Sequence, residues 1–216
     1  MKDILLISYW IIIILEILCA FWNILKTYIA KRKINSIKNY ENSNKLLICK
    51  ILIIIPCLRE QNIIKETIDY FLNLINDKDN IELIIVTTDE QLLDKQKRNK
   101  TTFDVVNEYI SENKINKVKL FHYPHKDGIM ADQLNYVMKE YKKYNSKKTY
   151  FCVYNADSRP NLDTINSVLN IIKNQDYPEI IQQYSYAFSN LGNLSFIMKG
   201  FALYQSNFEI KYGLIN

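Results

Sequence analysis

The sequence KILIIIPCLRE, residues 50–60, contains the feature that decides the fold of this chain. Residues 50–55 form a short apolar run of the kind found in β-strands that are buried on both faces of a sheet. Strands of this type usually belong to parallel sheets that are covered by helices on each side. We therefore expect this segment to be a strand of an α/β domain.

Apolar runs and helical stripes alternate along the rest of the chain. Further strands are predicted at residues 82–87 (ELIIVT), 117–123, 150–154 (YFCVY) and 180–184. Between them, apolar residues recur at helical spacing in stripes that begin at Ile63, Phe103, Met130 and Ile165. Strands joined through helices run parallel, with right-handed crossovers. The sequence therefore predicts a Rossmann-like α/β sheet, mostly parallel, of the nucleotide-binding type.

The bulk properties exclude several classes of protein. The chain has 216 residues and a net charge of +5, from 28 basic and 23 acidic side chains. Its basic residues are not gathered into an arm, so no nucleic-acid partner is expected. Neither CxxC nor histidine-associated metal spacing is found around Cys19, Cys49, Cys57 and Cys152. We interpret the cysteines as reduced, mostly buried thiols of a cytosolic domain.

An almost continuous apolar segment extends from Ile4 to Leu25. As a helix it would be about 33 Å long, enough to cross a hydrocarbon core of about 30 Å. Trp10 and Trp22 lie towards its two ends, near the depth that amphipathic rings prefer. Residues 1–27 are therefore predicted to be a transmembrane anchor, followed by a polar juxtamembrane linker over residues 28–45.

The charges on the two sides of this span give its orientation. Basic residues follow it at Lys26, Lys31, Arg32, Lys33 and Lys38. Only Lys2 precedes it, so the positive-inside rule predicts a cell-membrane protein with a cytoplasmic domain. A cleaved signal peptide and a buried core helix are the competing interpretations, but the bulky exit Phe21-Trp22-Asn23 does not suit cleavage. Glu16, within the span, either faces another transmembrane helix or is protonated.

Polar residues follow each predicted strand, at the edge where sheets of this type bind ligands. The sharpest group is YNADSRP, residues 154–160. Asn155 and Asp157 are two residues apart, so their side chains point to the same side of the chain. Their oxygens suit Mg²⁺ or Mn²⁺, which would bridge a diphosphate. The alternative is a simple Asx-turn before a helix. Arg159 is expected to form an ion pair that orders this loop rather than to contact phosphate.

Four segments together resemble the family 2 glycosyltransferases in their order and spacing. These are IIIPCLREQNII, IELIIVTTDE, HYPHKDGIMADQLNYVM and YNADSRP, and the resemblance covers residues 46–183. It is similar in particular to membrane-associated members whose metal motif is Asp-Ala-Asp-Ser-Arg-Pro. The resemblance implies a GT-A fold over residues 46–190 and a nucleotide-sugar donor such as a UDP-sugar. It also implies a saccharide or lipid-linked acceptor, in cell-envelope polysaccharide or glycolipid synthesis.

On the nucleoside side, the resemblance implies roles for four residues. Pro56, Leu58 and Glu60 match the loop that cradles the nucleobase and ribose. Arg59 stands where many members have Asn, so its role is left open. Asp89 lies near the Asp with which the family hydrogen-bonds uracil.

On the diphosphate side, the resemblance implies a second group. Gln133 and Asn135 match the start of the helix below the diphosphate, and Lys126 is the nearest substitute for a lysine of that segment. Asp157 matches the metal-coordinating second Asp. Asn155 stands in place of the first Asp, where it can accept a hydrogen bond from a ribose hydroxyl but brings no charge to the metal.

Two elements of the family are missing from the sequence. No Glu-Asp or Asp-Asp pair follows Asp157 to serve as the acceptor base, and a Gln-x-x-Arg-Trp element is absent. Residues 191–216 are expected to form an amphipathic helix at the start of a truncated acceptor region, so the chain is interpreted as a fragment. The alternative is a non-catalytic nucleotide-sugar-binding or scaffolding module of the membrane. A nucleotidyltransferase is disfavoured because no glycine-rich phosphate loop follows the first strand.

Overall fold

The computed structural model describes residues 2–38, 49–89, 100–126, 129–142, 148–183 and 191–213. The chain divides into two compact units, one of residues 1–44 with 167–216 and the other of residues 45–166. In chain order the elements are α1 (Lys2–Lys38), β1 (Lys50–Pro56), α2 (Ile64–Ile75), β2 (Ile81–Thr88), α3 (Thr102–Glu112), β3 (Val118–Tyr123), α4 (Met130–Lys142), β4 (Thr149–Val153), α5 (Thr164–Asn174) and α6 (Phe196–Gly213). The domain boundaries predicted at residues 27, 45 and 190 stay predictions.

The 45–166 unit contains a four-stranded sheet in the order β3-β2-β1-β4. All neighbouring strands are parallel, and Ile53 of β1 pairs with Leu83 of β2 and with Cys152 of β4. The predicted α/β class with a parallel sheet is therefore confirmed. Each of these four strands begins and ends within one residue of its predicted bounds.

The fifth predicted strand, at residues 180–184, is wrong over the part that the structure describes. Residues 180–183 have irregular backbone, and the side chain of Ile180 is 85% exposed. Asp176 and Tyr177 have φ angles of 52° and 63°, so the chain turns just before Pro178 instead of entering a sheet. Tyr184 lies outside the described residues.

The apolar run that decided the fold is buried on both faces of the sheet. On one face, Leu52 and Ile54 pack with Ile84, Val86 and residues Val137 and Tyr141 of α4. The alternate side chains of β1 and β2 point to the other face, where α2 and α3 contact each other and the sheet. Burial on two sides explains why these strands contain continuous apolar runs rather than alternating ones.

The amino ends of the strands form what we call the amino edge of the sheet, and one ionic cluster lies there. The Glu82 carboxylate accepts hydrogen bonds from Lys50 Nζ at 2.8 Å, Lys119 Nζ at 2.9 Å and Tyr141 Oη at 3.0 Å. We call these four residues the amino-edge cluster. Partial burial alone would raise the pKa of Glu82, but the hydrogen bonds from Lys50, Lys119 and Tyr141 outweigh it and hold that pKa below its usual value.

The other unit contains the long N-terminal helix. Among the described residues, one helical segment, Leu6–Arg32, is long and apolar enough to cross a membrane. Most of its large apolar side chains are more than half exposed. Helix α1 contacts α6, whose own large apolar side chains, among them Phe201 and Tyr204, are also exposed.

Candidate functional site

The carboxyl ends of the four strands meet at one edge, because all the strands are parallel. With strands about 4.8 Å apart, this carboxyl edge is about 14 Å across. Of the site residues predicted from the sequence, Pro56 ends β1, and the others follow β1 (Leu58 and Glu60), β2 (Asp89), β3 (Lys126) and β4 (Asn155 and Asp157). Each helix that follows a strand also begins at this edge, which is where open α/β sheets bind ligands.

The strand order reverses at one point of the carboxyl edge. From β1 the chain moves outward to β2 and β3, and α4 then carries it back to β4 on the other side of β1. The crevice at such a reversal is the usual ligand site of doubly wound sheets. Glu60 follows β1 and Asp157 follows β4, so these two carboxylates flank the switch point.

The two carboxylates at the switch point repel each other. Partial burial raises the pKa of Glu60, and the negative charge of Asp157 raises it further. Among the described residues, no Lys or Arg side chain forms an ion pair with either carboxylate. A cation bound between them would relieve this repulsion.

The residues at the switch point fit a hard divalent cation only if a ligand supplies part of the coordination. No three His, Cys, Asp or Glu side chains come together as a metal-binding group in the described parts of the chain. Mg²⁺ is often held by one or two carboxylates together with the phosphates of a substrate. Asp157, Glu60 and the Asn155 amide oxygen offer ligand atoms of the type that Mg²⁺ and Mn²⁺ prefer.

The loop after β4 presents its polar side chains to solvent while its backbone is held from behind. Asn155 and Asp157 are exposed and Ala156 between them is buried. Thr67 Oγ1 of α2 donates to the Ala156 carbonyl at 2.6 Å, and Ser158 N donates to the Asn155 carbonyl at 3.0 Å. The turn at Asn155 is thus made by the main chain. The side-chain hydrogen bond typical of an Asx-turn is found instead at Asn161, whose Oδ1 accepts from Asp163 N.

Arg159 holds this loop in place. Its Nη1 donates to the carbonyls of Ala156 at 3.1 Å and Ser158 at 2.9 Å, and its Nη2 lies 3.7 Å from Glu66 Oε1. The guanidinium also lies 5.5 Å from the centre of the Tyr70 ring. Arg159 therefore forms an ion pair and orders the loop, as expected from the sequence.

The loop after β1 is tied to the start of α3. Glu60 N donates to Thr102 Oγ1 at 3.0 Å. Cys57, buried behind the loop, has its thiol pKa raised by that burial and by the charge of Glu60, so it is an unreactive thiol. Leu58 is half-buried, and Arg59 has a φ of 64°, in the left-handed region that non-glycine residues rarely adopt.

A second polar group lies at the carboxyl ends of β2 and β3. His122 Nε2 lies 2.9 Å from Asp89 Oδ1, and His122 Nδ1 lies 2.9 Å from Thr87 Oγ1. The imidazole also packs on the ring of Phe103, with the ring centres 4.8 Å apart. Lys126, which follows β3, is exposed.

Helix α4 contains two predicted site residues, Gln133 and Asn135, and only Gln133 is buried. Gln133, in the first turn, is 3% exposed, and its Oε1 has no hydrogen-bond partner among the described residues. A buried acceptor without a partner costs free energy, so this atom suits a donor group from a ligand. Asn135 is two residues further on, about 200° around the helix, and is exposed.

The sequence places Thr87 and His122 among the polar residues at the ends of their strands without assigning them a role, and it points to no site role for Thr67 or Thr102. His122 lies within β3 rather than after it, and β2 and β3 pair so that Thr87 and His122 are neighbours. The threonines support the loops from behind and have no motif of their own. A polar residue near the carboxyl end of a predicted strand, as at position 122, was the available signal.

In comparisons with known proteins, no protein-family model matches the sequence, and no curated protein matches it.

Proposed function

We propose that this protein is a membrane-anchored glycosyltransferase that binds a nucleotide-sugar donor, with Mg²⁺ or Mn²⁺, at the carboxyl edge of its sheet. The observation that carries the proposal is the pair of carboxylates, Glu60 and Asp157, at the switch point, where no Lys or Arg of the described residues forms an ion pair with either. The resemblance of the four segments to family 2 glycosyltransferases, and to the GT-A fold in particular, supports it.

The spacing of the edge residues supports a nucleoside diphosphate as the ligand. Asp89 follows β2 and Asp157 follows β4, two strands away, or about 10 Å at ordinary strand spacing. In the proposed complex the base lies at the Asp89 end, and the diphosphate at the Asp157 end. Asn155 accepts a hydrogen bond from a ribose hydroxyl, and Gln133 Oε1 accepts one from a hydroxyl of the donor.

The chemistry of the site is the departure of a nucleoside diphosphate from a sugar. A divalent cation, when bound, supplies stabilisation of the charge that develops on the leaving diphosphate. Asp157 and Glu60 would hold that cation beside the diphosphate. Arg159 keeps the loop of Asp157 in one conformation, so little reorganisation is needed when the donor binds. The acceptor in this proposal is a saccharide or a lipid-linked sugar.

The proposed location is the cell membrane, with the sheet on the cytoplasmic side. Helix α1 is long and apolar enough to span a bilayer. The basic residues after the span support the orientation. Lys26 lies 5.7 Å from the Trp22 ring and Arg32 lies 5.6 Å from the Tyr28 ring, pairs typical of a membrane interface.

Donor binding can be tested with the full chain in detergent micelles. UDP-glucose and UDP-N-acetylglucosamine are titrated with Mn²⁺, and binding is followed by calorimetry and by the midpoint of thermal unfolding. We expect Asp157→Asn to weaken binding by about a hundredfold, the usual scale for loss of a charged partner in a buried or ligand-covered site. Asp163→Asn, an equal change of charge on an exposed residue nearby, is the control. Equal binding by the Asp157 variant and the wild type would contradict the proposal.

A binding module without turnover is the second candidate, and Asn155 favours it. An amide at this place gives the cation less charge than a carboxylate would. The two candidates are separated by measuring UDP release from bound donor in the presence of membranes that contain lipid-linked sugars. Release that depends on Asp157 supports the transferase, and tight binding without release supports the module. An Asn155→Asp variant that gains release would identify residue 155 as the limiting position.

A further inference from the structure

The pair of Asp89 and His122 closes a chain of polar contacts across β2 and β3. Asp89 Oδ1 lies 2.9 Å from His122 Nε2, and Thr87 Oγ1 lies 2.9 Å from the other ring nitrogen. Thr87 is 1% exposed, and its Oγ1 also lies 3.3 Å from the Phe121 carbonyl. The Phe103 ring contacts the imidazole, so the ring is fixed on three sides.

The hydrogen bonds of His122 determine which of its ring nitrogens carries a proton. If the imidazole is neutral with its proton on Nε2, Thr87 donates to Nδ1. If it is charged, Nδ1 donates to Thr87 Oγ1, which donates in turn to the Phe121 carbonyl. A neutral ring with its proton on Nδ1 would set the bare Nε2 against a carboxylate oxygen, which is repulsive. In both compatible states Nε2 carries a proton directed at Asp89.

We propose that His122 is a positioning residue that holds the Asp89 carboxylate so that its second oxygen reads the nucleobase of the donor. Oδ1 is engaged by His122, and no hydrogen bond to Oδ2 is found within the described residues. Asp89 is partly exposed at the carboxyl edge, with 27% of its side chain accessible, so a ligand can reach Oδ2. This inference rests on the proposed binding of a nucleotide-sugar.

An oriented carboxylate oxygen selects one class of base. Uracil presents a ring N–H at N3, and guanine presents one at N1, and each can donate to Oδ2. Cytosine and adenine present a bare ring nitrogen at the same position, whose lone pair would face the carboxylate. A site built to accept a hydrogen bond rejects a ligand that cannot donate one. The geometry therefore favours uridine or guanosine diphosphosugars over cytidine and adenosine ones.

Two variants of His122 separate positioning from a purely structural role. The Gln side chain carries its amide near the place of Nε2, so His122→Gln keeps a donor to Asp89. The Asn side chain carries its amide near the place of Nδ1, so His122→Asn keeps only the contact with Thr87. Both variants remove the imidazole and its packing on Phe103, so they are matched in what they disturb in the fold.

The experiment measures the affinity of the full chain in detergent for UDP and for CDP, with Mn²⁺, by calorimetry. We expect His122→Asn to weaken the binding of UDP about tenfold and to leave the affinity for CDP unchanged. His122→Gln should keep the affinity for UDP near the wild-type value. Equal losses for UDP and CDP, or equal losses in the two variants, would overturn the positioning role. If the wild-type chain binds no nucleotide with any cation, the proposed function itself fails and this inference falls with it.

A spectroscopic measurement tests the same arrangement without a ligand. The chain has two histidines, so ¹⁵N resonances of His122 are identified by their loss in the His122→Gln variant. We expect a protonated Nε2 throughout the pH range in which the protein is folded. A neutral ring with a bare Nε2 would overturn the inference even if UDP binds.

Discussion

The two edges of the sheet each hold a partly buried glutamate, and the two glutamates lie in opposite electrostatic environments. At the amino edge, Glu82 accepts hydrogen bonds from two lysines and a tyrosine, which hold its pKa below the usual value in spite of its burial. At the carboxyl edge, burial and the charge of Asp157 raise the pKa of Glu60. One carboxylate is stabilised as an anion by the fold, and the other is not.

This difference distinguishes a structural cluster from a candidate binding site. The amino-edge cluster supplies its own counter-charges, since the Glu82 carboxylate accepts hydrogen bonds from both lysines. The raised pKa of Glu60 means that its charge lowers the stability of the ligand-free protein at neutral pH, and a bound cation would reverse that effect. Destabilising arrangements of this kind are typical of functional sites.

The largest expected effect is the loss of stabilisation by the ligand. Nucleotide-sugar with Mn²⁺ at a hundred times its Kd should raise the free energy of unfolding of the wild type by about 2.7 kcal/mol. In the double variant Glu60→Gln/Asp157→Asn we expect no rise, because both candidate ligands have lost their charge. Hydrogen exchange of the β1 and β2 amides measures the change within the sheet. Glu82→Gln is the control, and it should keep the full rise; loss of the rise in this control would remove the distinction between the edges.

The second effect is the cost of breaking the amino-edge cluster. Glu82→Gln should lower the free energy of unfolding by about 2 kcal/mol at pH 7, the scale for hydrogen bonds to a charged group. The folded-state pKa of Glu82 is lowered, so its contribution is complete above the unfolded pKa of about 4.3 and is lost as the pH falls through the folded value. The difference between wild type and variant should therefore vanish in acid. A constant difference from pH 7 to pH 3 would mean that the charge of Glu82 is not its cause.

The third effect has the opposite sign. Glu60→Gln should raise the free energy of unfolding of the ligand-free protein at pH 7, by less than about 1 kcal/mol because solvent screens a group that is only partly buried. The folded-state pKa of Glu60 is raised, so its favourable contribution is complete below the unfolded pKa of about 4.3 and is lost as the pH rises through the folded value. Thermal unfolding of wild type and variant at pH 4 and pH 7 measures the effect, and the variant should be the more stable protein only at pH 7. Destabilisation at pH 7 would show that Glu60 has a favourable partner.

The sequence predicted the sheet well because burial on two faces leaves a local pattern. The runs in β1 and β2 are almost wholly apolar, and both strands lie between layers of helices. The prediction failed at residues 180–183 (IIQQ), where only two residues are apolar and Ile180 has no such cover. A run of apolar residues predicts a strand only if a neighbouring strand and two helix layers exist to bury it, and that condition is not local.

The residues of the candidate site that follow the strands could be predicted from the sequence. The contacts that support these residues from within the fold could not. Glu60, Asp89, Asn155 and Asp157 belong to segments with a recognisable motif. The contact of Thr87 with His122 joins residues 35 apart, and it follows from the register of β2 with β3. No spacing along the chain encodes that register, so the orientation of Asp89 becomes visible only in three dimensions.

The smallest effect separates strain at the carboxyl edge from strain elsewhere. Arg59 has a φ of 64°, and Lys114, in the loop that leads into β3 at the amino edge, has a φ of 51°. Asn adopts this left-handed conformation more readily than Arg or Lys, so Arg59→Asn and Lys114→Asn should each raise the free energy of unfolding by about 0.5 kcal/mol, a part of the usual left-handed cost. Nucleotide affinity should change only in the Arg59 variant, because only this residue lies in the loop beside Glu60. A change in affinity on substituting Lys114 would show that general stability, rather than the geometry of the carboxyl edge, controls binding.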